Sequence, residues 1–162
     1  MNPPIIERST PKIRMNVAAL VISASALVTI AVNEGYVGQT YKDVVGVPTI
    51  GFGETKGVKM GQTTTPPKAL RQLLTSADEH AAGIKQCIKV PISQGEYDAY
   101  LSLAYNIGTG AFCKSSLVQK LNQQDYTGAC QEILKWNRAG GVVQPGLTKR
   151  RTEEFNTCMG GA

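Results

Sequence analysis

Residues 1–15 are polar and proline-rich, the pattern of a disordered tail. From Asn16 to Val32 the pattern reverses. Seventeen residues pass without a charge, about half of them Ala, Ser or Thr. As one helix this run sits at the short end of a bilayer span, which takes roughly 17–25 residues. Beyond Glu34 come two helix terminators, Gly35 and Gly38. The alternating stretches Gln39–Val45 and Pro48–Phe52 then flank a Val45-Gly46-Val47-Pro48 turn and predict a hairpin. Lys56–Thr64 is a polar loop. Thr65-Pro66 opens a helix along which Leu70, Leu73, Leu74, Ala77, Ala81 and Ile84 recur at helical spacing up to Cys87. Ser93-Gln-Gly-Glu96 is a capping box. It starts a helix with Tyr97, Tyr100, Leu101, Ala104 and Ile107 inside, ended by Gly108 and Gly110. Ser116–Asn122 and Asp125–Trp136 predict two short helices, residues 140–146 a loop, and Thr148–Met159 the last helix. The expected fold is α+β, with a small β-hairpin lobe and a larger, mostly helical lobe behind an apolar amino-terminal helix. The expected divisions are a tail at 1–15, the apolar segment at 16–33 and a folded domain at 34–162.

Composition narrows this only a little. A chain of 162 residues is one domain with an appendage, and 42% hydrophobic residues suffice for a core. The net charge of +5 suits an anionic polymer or surface. No Lys/Arg run is interleaved with aromatics, which argues against nucleic acid as a partner. Arg8, Lys12 and Arg14 precede the apolar run, so an inserted run would leave the amino terminus cytoplasmic and residue 34 onward outside. Ala24-Ser25-Ala26 has the A-x-A form of a signal-peptide cleavage site, and a cut there would leave little helix ahead of Glu34. A cleaved signal, a permanent anchor, a releasable anchor and a plain core helix are therefore all open. Cys87, Cys113, Cys130 and Cys158 lack C-x-x-C spacing, and a single His argues against zinc. An even count in an exported chain points to two structural disulfides, with three pairings open. No metal or organic cofactor is expected.

The candidate chemistry lies in residues 34–54. Glu34 and Asp43 are nine residues apart and Thr49 follows six later. On one helix that spacing would set the two acids on opposite faces. A helix ending at Glu34 and feeding a hairpin can instead aim both into one cleft, which suits glycoside hydrolysis, with one carboxyl protonated and the other ionised. The plain alternative is a pair of solvated or capping acids. His80, the lone His, fits a structural role better than a triad, because no G-x-S-x-G accompanies it.

The order Glu34, Asp43, Thr49, Ile50-Gly51-Phe52-Gly53 resembles the phage T4-type lysozymes. So do Leu101-Ser-Leu-Ala-Tyr-Asn-Ile-Gly-Thr-Gly-Ala-Phe112, Trp136-Asn-Arg-Ala-Gly-Gly141, Pro145-Gly-Leu147 and Arg150-Arg151, in the family's order. The resemblance implies a muramidase cutting the β-1,4 bond between N-acetylmuramic acid and N-acetylglucosamine of peptidoglycan. In it Glu34 is general acid, Asp43 stabilises the oxocarbenium-like centre and activates water, and Thr49 positions that water. It implies sugar contacts near Tyr105 and Ser115. It also implies a basic residue, Arg150 or Arg151, paired with an acid near the cleft, although a solvated helix face is the simpler reading of both arginines. Glu54 stands where many members carry His, so the pairing of that His is in doubt here. The apolar run resembles the signal-anchor-release endolysins of lambdoid phages. Those are held in the host inner membrane with the catalytic domain periplasmic, then released. Residues 16–32 are accordingly expected to hold a monomeric enzyme inactive until release, without the anchor cysteine that some members use. A lytic transglycosylase using Glu34 alone and a non-catalytic wall-binding module are the rival readings. A holin fits poorly, since only one run could span.

Overall fold

The computed structural model describes residues 12–43 and 45–161. Its elements are α1 (Ala24–Glu34), β1 (Val37–Lys42), β2 (Pro48–Gly51), α2 (Pro66–Cys87), α3 (Gln94–Ile107), α4 (Thr109–Cys113), α5 (Ser116–Asn122), α6 (Tyr126–Glu132), β3 (Arg138–Ala139), β4 (Val142–Val143) and α7 (Pro145–Met159). Single 3-10 turns lie at Val17–Ala19 and Ile133–Lys135. This is the expected α+β arrangement, in which a hairpin of β1 and β2 precedes a helical lobe.

α3 is the axis of the helical lobe. Every residue from Glu96 to Ala104 is buried, so the helix is enclosed on all sides rather than on one stripe. The capping box starts it as expected. Ser93 Oγ accepts from Glu96 N at 3.3 Å, and Glu96 Oε2 accepts from Ser93 N at 2.8 Å. Around it, Tyr97, Tyr100, Leu101, Leu103, Phe112, Leu117, Leu121 and Ile133 form the main core. α2 closes one side with Ala69, Leu73, Ala77, Ala81 and Ile84. Leu70 and Leu74, expected inside, are exposed, because the small alanines let α2 seat on a narrower stripe. Cys87 pairs with Cys113 and Cys130 with Cys158, tying α2 to α4 and α6 to α7.

Three elements differ from the pattern-based expectation. Residues 109–113, beyond the glycine end of α3, form the short α4. Residues 138–143 form a two-residue-per-strand hairpin rather than plain loop. α7 begins at Pro145, whose fixed φ suits the first helical turn, not at Thr148.

The largest difference is at the amino end. Residues 16–32 are not one apolar helix. A 3-10 turn gives way to extended Leu20, and Ser23 then caps α1 by accepting from Ala26 N at 3.1 Å. The break is held from outside, since Lys85 Nζ donates to Leu20 O at 2.6 Å and Ser23 N to Asp98 Oδ1 at 3.2 Å. At eleven residues α1 is roughly 16 Å long, about half a bilayer core. Among the described residues no helix is long and apolar enough to cross a membrane. The expected tail is corrected as well. Residues 1–11 lie outside the described residues, but 12–15 are a strap on the helical lobe. Met15 pairs with Ile92 in a β-bridge. Arg14 grips buried Glu96 through Nη2 at 2.7 Å and Nε at 3.1 Å, and its guanidinium lies 3.6 Å over the Tyr126 ring. Lys12 Nζ donates to Cys158 O at the end of α7. A buried carboxylate without a cation is costly, so the polar residues order there.

Candidate active site

α1 presents Glu34 as its last residue. Ile30 and Ala31 are buried against Leu73 of α2, with Leu27, Phe52 and Tyr105 around them, which fixes the helix where the acid leaves it. Gly35 then turns the chain at φ +72°, a conformation that suits glycine, and β1 begins. The Glu34 side chain is 23% exposed, and its Oε1 accepts from Arg150 Nη1 at 3.0 Å. Gly53, just past β2, packs so closely that a Cβ there would lie 3.5 Å from Glu34 Oε2.

Arg150 and Arg151 are both buried, not on a solvated helix face. α3 supplies the reason. Arg150 donates through Nη2 to Ser102 O at 3.2 Å and through Nε to Glu154 Oε1 at 3.2 Å. Ser102 Oγ donates to the same oxygen at 2.7 Å. Arg151 donates to Asn106 Oδ1 at 2.9 Å, and its Nε lies 3.2 Å from Glu154 Oε2 as an ion pair without hydrogen-bond alignment. Burial pushes the Glu154 carboxyl up and the Arg151 guanidinium down, each opposed by the other's charge. Glu154 was not singled out by sequence reasoning, yet the signal was present. It stands four residues after Arg150 and three after Arg151, on the same helix face.

Asp43 and Thr49 form a second unit on the hairpin. Asp43 Oδ1 accepts from Val45 N at 3.0 Å and Val47 N at 2.8 Å, so the side chain shapes its own turn. Val47 O accepts from Asp43 N at 3.0 Å and from Thr49 Oγ1 at 3.0 Å. One peptide group thus joins the two residues. Thr49 is buried opposite Tyr41 in the β1–β2 ladder. Its hydroxyl gives its proton to Val47 and keeps oxygen lone pairs for an incoming donor such as water.

The remaining candidates divide. Tyr105 on α3 is half-buried, and its ring lies 4.8 Å from that of His80. Burial chiefly pushes its hydroxyl up. Ser76 opposes that shift by hydrogen bonding, and the charges of Glu34 and Glu54 add to it. His80 Nδ1 pairs with Ser76 O at 2.8 Å, a structural placement. Glu54 caps a turn, its Oε1 accepting from Thr55 N at 2.9 Å and Lys56 N at 2.7 Å. Ser115 is the N-cap of α5, accepting from Val118 N and donating to Phe112 O at 2.6 Å, so its hydroxyl is engaged within the fold.

Comparison with known proteins places most of the chain among relatives. The family model described as phage lysozyme matches residues 31–154. The SAR-endolysin of Enterobacteria phage P21 is 37% identical over 161 residues, covering 93% of this chain and 98% of its own length. The endolysin of Salmonella phage P22 is 34% identical, over 82% of this chain and 94% of its own. Among solved structures, an endolysin from the Escherichia coli O157:H7 phage FAHEc1 superposes with a TM-score of 0.80 at 33% identity. It covers 87% of this chain and 94% of that one.

Proposed function

The chain belongs to the phage lysozyme family, glycoside hydrolases that act on peptidoglycan, and from that premise we propose that Glu34 and Asp43 cut its glycan strands by inversion. The bond is the β-1,4 link between N-acetylmuramic acid and N-acetylglucosamine. Glu34, as general acid, gives its proton to the glycosidic oxygen as the C1–O bond breaks. Asp43 stabilises the positive charge growing at C1 and takes a proton from the water that attacks the opposite face. Thr49 accepts a hydrogen bond from that water. One water is consumed, its hydroxyl joining C1 of one fragment, and the products are two chain ends. Tyr105 offers a ring face and hydroxyl to a sugar beside the acid.

What carries this reading is the position of Glu34. It is half-buried at the end of a pinned helix, faces Arg150 at 3.0 Å, and lies against the exit of the hairpin that holds Asp43 and Thr49. The test is turnover of purified peptidoglycan by the full chain beside Glu34→Gln and Asp43→Asn. New reducing ends from the wild type and a loss of 10²-fold or more in both variants are expected. Anhydro products, with activity surviving Asp43→Asn, would replace the hydrolase by a transglycosylase.

The apolar residues 16–32 belong to the same proposal. They export the monomeric chain and tether it in the host inner membrane, with the catalytic domain in the periplasm, until the segment leaves the bilayer. Two observations support this: the uncharged run itself and the likeness to a SAR-endolysin along most of the chain. α1 cannot both lie in lipid and pack on Leu73 with Glu34 on Arg150, so the tethered enzyme is inactive. Equal specific activity in membrane-bound and released fractions would contradict the tether as a control.

A further inference from the structure

Four charged groups meet behind the acid: Glu34 on α1, and Arg150, Arg151 and Glu154 on α7. Two are cations and two anions, so the cluster is neutral only while both carboxyls are ionised. A general acid needs a proton on Glu34, and the Arg150 guanidinium stands 3.0 Å from it. On the other side of that guanidinium sits Glu154. Its Oε1 accepts from Ser102 Oγ at 2.7 Å and from Arg150 Nε at 3.2 Å, and its Oε2 lies 3.2 Å from Arg151 Nε as an ion pair, so the two arginines oppose the burial that pushes this carboxyl up. It is 3% exposed, so water and salt screen its field poorly.

We infer that Glu154 is a positioning residue for the reaction: it holds the Arg150 fork on Glu34, and its charge offsets the two arginines so that Glu34 can carry a proton. This rests on the general-acid reading of Glu34. Around the buried stem of α1 lie Phe52 and Tyr105, with His80 of α2 tilted against Tyr105, and the remaining acids Glu54 and Asp43 are engaged in their own turns. Of the acids on α7 and the hairpin, Glu154 is the one that joins Glu34 in touching Arg150. Removing its charge while keeping its shape leaves two arginines against one acid.

The experiment is a pH–rate profile for soluble peptidoglycan fragments with the full chain, Glu154→Gln and the double variant Glu154→Gln/Arg151→Gln. In Glu154→Gln the alkaline limb is expected to move to lower pH by about one unit, with KM unchanged. The double variant removes one charge of each sign, and its limb is expected to return. A ¹³C NMR titration of the Glu34 carboxyl in the same proteins should shift in the same order without requiring turnover. A shifted titration in a protein that hydrolyses nothing would end the general-acid reading while leaving the charge compensation standing. An unmoved limb and titration in Glu154→Gln, with only a lower Tm, would make Glu154 structural and overturn the inference. Should Glu154→Gln alone fail to fold, Arg151→Gln decides. A limb displaced to higher pH supports the charge compensation, and an unmoved limb overturns it.

Discussion

Glu132 shows at the scale of one residue what a fully partnered carboxylate does for this fold. Lys120, Lys135 and Ser116 all donate to it, and these bonds hold its carboxyl at about 2, down from an ordinary 4.5. A depressed folded value contributes stability that is complete above the unfolded value and is lost as pH falls through the folded one. Stability should therefore decline between about pH 4.5 and 2, and Glu132→Gln should flatten that decline. Urea unfolding at stepped pH measures it; equal slopes in both proteins would discount Glu132. The contrast with the role proposed for Glu34 is chemical. Glu132 has no proton to exchange at neutral pH, while the acid of a hydrolase must gain and lose one.

Among the elements, α1 has two apolar faces and buries only one of them, against α2 and α3. Ala26, Ile30 and Ala31 are buried, whereas Val28 and Val32 remain exposed at 60% and 75%. Its grip on the protein is thus concentrated in few contacts. Ile30→Ala is expected to cost about 2–5 kcal/mol. It should also lower turnover beyond the fraction unfolded, because the helix that loosens is the one carrying Glu34. Circular dichroism melts beside turnover well below Tm test this; a loss of activity no greater than the unfolded fraction would refute it. Legibility also divides at this scale. The hairpin, α2, α3 and α5 were plain in the sequence because capping residues, glycines and periodicity mark them locally. The fate of residues 16–32 was not, since an uncharged run suits lipid and a protein core equally. What breaks it here are distant groups, Lys85 and Asp98. Glu34, Asp43 and Thr49 were named as candidates through family order. The buried arginines and Glu154 were not, because a charged helix face looks solvated until α3 covers it.

For the whole molecule, the bridges Cys87–Cys113 and Cys130–Cys158 staple the helical lobe around α3. They span 26 and 28 residues, and each should contribute about 3 kcal/mol. Unfolding with and without reductant should show a loss of that order per bridge. No change on full reduction would mean that packing alone sustains the lobe. The hairpin carrying Asp43 and Thr49 lies outside both staples, so its local opening should respond little to reductant.

The strap of Lys12, Arg14 and Met15 makes the leader and the enzyme inseparable as hereditary units. A truncation at residue 33, the obvious route to a smaller soluble protein, would discard the helix that ends in the acid. It would also leave Glu96 buried without its guanidinium. A genetic exchange that traded leaders between related genomes would be tolerated only if the crossover fell ahead of residue 12, or if the incoming segment brought its own partners for Glu96 and Leu73. Sequence drift in the apolar run is therefore answerable to the packing of the catalytic domain.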